Sequence, residues 1–217
     1  MWTNIRVVAF ICFILPISTI IISYIASIKL NLAPACIPNF EGCTSISRAG
    51  RNIPVKYFFK PMMFLYSFFL FLYWYKFIEI LDKFKISEKK FSFFSFFSVI
   101  FLILYIIFLG EGKIYEFFRR IGIYIYIFFT VITQFLISKK LFFFQRKIKK
   151  HFKINLIKSN FYLTLFLIVS GIIILPVLII KINYFPEIKN IISWNYFMLI
   201  QLYFIFSLFS FKKQYFK

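Results

Sequence analysis

"VVAFICFILPISTIIISYIASI", Val7 to Ile28, decides the fold. Between Arg6 and Lys29 it holds no charged residue. At 1.5 Å per residue a helix of that length covers the ~30 Å of hydrocarbon in a bilayer. Its apolar residues form a continuous block rather than the period 2 of a half-buried strand or the period 3.6 of a soluble amphipathic helix. It reads as a span that stays in the protein. The apolar run exceeds a signal-peptide core of roughly 7–15 residues, Arg6 alone supplies the preceding charge, and "SYIASIKL" has no clean A-x-A cleavage site.

The rest of the chain repeats this character. Its 217 residues are 62% hydrophobic, with 36 Phe and a mean hydropathy of +0.85, whereas soluble domains lie nearer half apolar. Further apolar segments follow, so the expected fold is all-α: a polytopic membrane bundle of six transmembrane helices forming a single domain over 1–217. The spans are expected at about 7–28, 61–81, 91–110, 117–137, 160–180 and 194–211, with a long loop at 29–60. Pro61 is read as opening the second helix, because proline suits a first turn. Pro16 and Pro176 fall inside the first and fifth spans, where membrane helices tolerate proline.

The net charge is +20, from 27 Lys and Arg against 7 Asp and Glu. On a soluble chain this balance would point to nucleic acid. Here the basic residues flank apolar spans, and their first role is to set orientation. With the N-terminus in the cytoplasm, 17 of the 27 fall on the cytoplasmic side. The expected topology is therefore a multi-pass protein with both termini cytoplasmic, in the inner (plasma) membrane if the source is bacterial. The 29–60 loop is then external. The densest basic run, "KKLFFFQRKIKKHFK" (Lys139 to Lys153), lies inside, where it can also rest on an anionic leaflet.

Within the external loop, "EGCTSISRAGRNIP" (Glu41 to Pro54) is polar and small in a chain otherwise dominated by Phe, Ile and Leu. With the residues that lead into the second span, "CTSISRAGRNIPVKYFF" resembles the Frag/DRAM/Sfk family of membrane proteins. That family includes autophagy modulators, a Golgi protein that remodels GPI-anchor lipids, and the N-terminal region of CWH-type proteins. The resemblance rests on a Ser-Ile-Ser stretch, a nearby Gly and a following Pro, here Ser45, Ile46, Ser47, Gly50 and Pro54, ahead of the second of usually six spans. The motif covers about 15 residues, and the span count extends the likeness along the chain. It implies a lipid-associated membrane protein. Two positions depart from the pattern. "EGKIYEFFRRIG" (Glu111 to Gly122) has Tyr115, Glu116, Arg119 and Arg120 where many members carry a His. Trp194 and Asn195 stand where many carry an acid at the head of the last span. An activity that uses that His or acid is not carried over to this chain.

Read without the family, the loop offers three kinds of candidate. Ser45 and Ser47 are nucleophiles only with a base in reach, and the single His, His151, is placed on the opposite side of the membrane. Their hydroxyls are expected to cap or fold the loop backbone. Cys36 and Cys43 either form a disulfide in an oxidising compartment or remain neighbouring thiols. Cys12 sits in the first span, and three Cys with one distant His lack metal-site spacing. Arg48 and Arg51, with Lys56 and Lys60, lie on the side where the charge rule expects few cations, as do Arg119 and Arg120. Outward helix N-termini carry partial positive charge there too. Arg48, Arg51, Arg119 and Arg120 are therefore the candidate binding set for an anionic head group, since a guanidinium fork suits phosphate. The alternatives are snorkelling to bulk lipid, or pairing with Glu41, Glu111 and Glu116; Glu116 and Arg120 have the i,i+4 spacing of a helical pair. Lys76 and Glu79 are expected to pair near the inner interface. Trp2, Trp74 and Trp194 are expected in an aromatic belt.

Three functions follow, in order. The first is a non-enzymatic lipid-binding, lipid-sensing or membrane-organising protein, with membrane lipids, anionic ones included, and a membrane protein as its partners. The second is a lipid-remodelling enzyme, which would rely on Glu111 or Glu116 near the loop serines. The third is a small transporter, but the span centres offer only Thr19, Thr130, Thr133, Ser170 and similar groups. No cofactor, metal or nucleic acid is expected.

Overall fold

The computed structural model describes residues 3–179 and 186–212. Lys181, Lys213 and Lys217 of the charge count, Trp2 and the last residue of the expected fifth span lie outside them. The chain is all-α, and six of its helices are long and apolar enough to cross a membrane. They are α1 (Thr3–Lys29), α4 (Val55–Lys83), α5 (Lys89–Ile107), α6 (Lys113–Phe143), α8 (Ile154–Ile179) and α9 (Pro186–Ser210). Among the described residues, three short helices lie outside the spans: α2 (Pro38–Glu41) and α3 (Ile46–Arg51) in the first loop, and α7 (Gln145–Ile148) after α6. This is a multi-pass integral membrane protein.

The long helices pack in chain order into a closed ring. α1 lies on α4, α4 on α5, α5 on α6, α6 on α8 and α8 on α9, and α9 returns to α1. Alternating direction puts the loop of α2 and α3, the α5–α6 link and the start of α9 at one end, called here the loop face. The start of α1 and the end of α9 lie toward the opposite end, the terminal face. Outward residues such as Phe68, Phe96, Phe128, Phe166 and Ile172 are exposed. In a membrane they meet lipid, which makes their exposure favourable.

Small residues set the close approaches. α1 carries Cys12, Thr19, Ser23 and Ser27 on its buried side, a spacing that lets neighbouring backbones come near. Gly122 does the same for α6, since a Cβ there would stand 2.8 Å from the Tyr105 backbone nitrogen in α5.

Several helices run beyond the expected spans. α4 begins at Val55, so Pro61 lies inside the helix rather than at its first turn. The missing N–H leaves the Tyr57 carbonyl without its helical donor. Pro61 and Tyr57 are both exposed near the loop face, where head groups or water can serve that carbonyl. α6, α8 and α9 likewise extend past their hydrocarbon segments. α5 stops at Ile107, ahead of the expected residue 110, because Gly110 to Gly112 forms the turn, with Gly112 at φ +102°.

The terminal face is closed by aromatics and ion pairs. Phe152 pairs antiparallel with Phe211, and Phe77, Phe84 and His151 pack around them. Glu88 bridges Lys90 and Lys140. The expected Lys76–Glu79 pair is not the one formed. Glu79 bonds Lys83 at 3.3 Å instead, because i,i+4 brings side chains together on a helix face with Glu N-terminal to Lys.

Candidate functional sites at the loop face and in the ring interior

The first loop is a docked cap. Cys36 and Cys43 are joined by a disulfide, with Cα atoms 6.5 Å apart. The Tyr24 hydroxyl lies beside this link. It donates to the carbonyls of Pro34 and Cys36, at 3.0 and 2.9 Å, and accepts from the Cys36 N–H at 3.1 Å. α9 holds the other side. Trp194 Nε1 donates to the Thr44 carbonyl at 2.9 Å, Asn190 Nδ2 to the Gly42 carbonyl at 2.7 Å, and Asn195 Nδ2 to the Asn39 carbonyl at 2.9 Å. Trp194 is thus buried against Tyr24 rather than standing in an interfacial belt. Trp74 is likewise buried, packed edge-on and tilted among Tyr73, Tyr203 and Phe204. Trp194 is drawn inward by its N–H bond to Thr44, and Trp74 by the rings that surround it.

The Ser-Ile-Ser motif builds α3. Ser45 is its N-cap, accepting the Arg48 N–H at 3.2 Å, and Ser47 Oγ is 3.5 Å from Ser45 Oγ. Ile46 packs on the core. Ser27 donates to the Ala49 carbonyl at 2.7 Å, which ties α3 to α1. Gly50 lies against the Phe59 ring, where a Cβ would overlap it. Pro54 is the residue before α4, after a cis peptide bond from Ile53. His151 packs on Phe84 at the terminal face, a bundle length from either serine.

The loop-face cations divide into two groups. Lys60 Nζ donates to the Ile107 carbonyl at 2.9 Å, and Arg119 Nη1 to the Gly110 carbonyl at 2.7 Å. Lys60 thus places positive charge on the last carbonyl of α5, where the helix dipole is negative, and Arg119 on a carbonyl of the turn that follows. Arg120 pairs with Glu116, as the i,i+4 spacing predicts. Arg119 is buried and Arg120 exposed, so these adjacent residues point in different directions. The structure does bring Arg51, at the end of α3, within electrostatic range of Arg119. Arg51 Nε is buried with no hydrogen-bond partner. Arg48, one turn earlier, is exposed. Nearby, α4 and α6 both begin without a side-chain cap.

The ring interior holds the polar residues that sequence reading missed. Tyr66 of α4 and Tyr126 of α6 share a hydroxyl hydrogen bond at 3.1 Å. Gln201 Nε2 of α9 reaches the Tyr66 hydroxyl at 3.5 Å, and Gln134 Nε2 of α6 donates to the Ile200 carbonyl at 3.2 Å. Nearer the terminal face, Tyr73 and Ser207 bond at 2.7 Å. A signal for these was present: Tyr126, Thr130, Gln134 and Ser138 recur every four residues and so line one face of α6. In a membrane span such a stripe faces the bundle interior. Among the described residues, no three His, Cys, Asp or Glu side chains gather as a metal site.

No family model, curated protein or solved structure matches the chain.

Proposed function

We propose that this protein is a non-enzymatic, lipid-associated membrane protein of the Frag/DRAM/Sfk type. It binds an anionic head group at the loop face, which on this reading is external, with both termini cytoplasmic. The observation that carries the reading is that Arg51 lies within electrostatic range of Arg119 while its own Nε is buried and unmatched. Two guanidinium groups within electrostatic range repel each other, and one buries an N–H without a partner. A buried donor left unmatched costs about 1–3 kcal/mol. A phosphate bound by both would remove both penalties, and the uncapped start of α6 adds N–H groups of the same polarity. Arg48 supplies the rim. Arg120, held by Glu116, plays a lesser part than the sequence assigned it.

The non-enzymatic reading is supported by the use of the loop hydroxyls. Ser45 is engaged in capping α3, and the only His lies at the other end of the bundle.

The test is native mass spectrometry and lipid analysis of gently extracted protein. Arg51→Gln should reduce co-purifying anionic lipid by about tenfold, the loss of one charge-assisted contact worth on the order of 1.5–3 kcal/mol. Lys147→Gln at the terminal face should leave that lipid unchanged. Equal retention in wild type and Arg51→Gln would remove the head-group site.

A further inference from the structure

The second site lies in the middle of the ring and is independent of the loop-face arginines. Gln134 and Gln201 are both fully buried. Each uses its carboxamide nitrogen on a helix across the ring, and each leaves its oxygen, Gln134 Oε1 and Gln201 Oε1, without a hydrogen-bond partner. The two side chains lie at the same level of α9, because Gln134 reaches the carbonyl of residue 200 and Gln201 is the next residue of that helix. Tyr66 and Tyr126 border Gln201, and the Thr130 hydroxyl lies beside Tyr126. We propose that this centre binds a small, uncharged hydrogen-bond donor of water size, accepted by the two glutamine oxygens.

The chemistry of the lining selects that class. Two acceptors lacking donors call for a molecule that donates two hydrogen bonds. Buried waters typically make about three bonds to otherwise unmatched polar groups. The molecule is uncharged because, among the described residues, the only buried charged side chain is Arg119, at the loop face. An ion at the ring centre would lack a counter-charge in a medium where an unpaired charge is costly. It is small because Tyr66, Gln201, Gln134 and Thr130 are already packed with almost no exposed surface.

Water is the probe. The full-length protein in lipid nanodiscs is mixed briefly with ¹⁸O-labelled water and exposed to a millisecond radiolysis pulse, which converts bound water into hydroxyl radical. Tyr66 and Tyr126 should be oxidised despite their burial, with ¹⁸O in the product. Lipid-facing Phe128 and Phe166 should not be. Gln201→Leu, and separately Gln134→Leu, should lower that oxidation several-fold and should lower the melting temperature. Oxidation of the two tyrosines no greater than that of Phe128 and Phe166 in the wild type would overturn the proposal, whatever the variants do. Oxidation unchanged in both variants would also overturn it. So would a higher melting temperature in Gln201→Leu, since a dry, unmatched acceptor gains from replacement by an apolar group.

Discussion

Gly42 and Trp194 each hold the cap against α9. Gly42 has φ +65°, and a Cβ there would overlap the backbone of Glu187 at the start of α9. For an L-residue the left-handed conformation alone costs about 1–2 kcal/mol, so Gly42→Ala should lower the melting temperature of the detergent-solubilised protein. Trp194→Phe keeps the ring but removes the buried donor to Thr44, leaving that carbonyl unmatched. It should destabilise the protein by about 1–3 kcal/mol and expose the 36–51 segment to protease. An unchanged cleavage pattern would mean that the loop is held elsewhere. Neither role was legible in the chain. The sequence gives a tryptophan's depth in the membrane, but its direction around the helix depends on partners in other elements. Ser45 was more legible, because a serine ahead of a short polar helix has a local role as cap.

At the scale of elements, the hydropathy of each span reports where hydrocarbon begins, and helical hydrogen bonding does not stop there. For that reason α4 starts at Val55 and α9 at Pro186, ahead of the apolar cores that located them. The interior stripe of α6 was readable from its four-residue spacing. Its meaning was hidden because tyrosines in a chain this aromatic look like bulk apolar residues. The ends of α5 and α6 are joined by Glu88, whose carboxyl is held below the usual range by hydrogen bonds from Lys140 first and Lys90 second. A depressed carboxylate contributes stability above its unfolded pKa of about 4.3, and that contribution is lost as pH falls through the lower folded value. Wild type should therefore melt higher than Glu88→Gln at about pH 7, with the gap closing below about pH 4. A gap that is constant across that range would show that the clasp contributes nothing through charge.

For the whole molecule, the account rests on six crossings arranged as a ring, with the stapled loop on one face and the start of α1 and end of α9 on the other. The number of crossings was plain in the sequence, because predominantly apolar runs of span length have few other uses. The closure of α9 onto α1 was not, since it depends on contacts between the two ends of the chain. The protein suits a direct test of this arrangement, as its own cysteines are shielded: Cys36 and Cys43 are bonded and Cys12 is buried. Single cysteines can therefore be added at exposed positions of the otherwise native chain and treated with a membrane-impermeant maleimide in intact cells. Asn31→Cys and Glu111→Cys, on the loop face, should label directly. Lys85→Cys and Lys150→Cys, on the terminal face, should label only after permeabilisation. Labelling of Lys150→Cys together with Glu111→Cys in intact cells would put both faces on one side of the membrane and contradict the six-span ring.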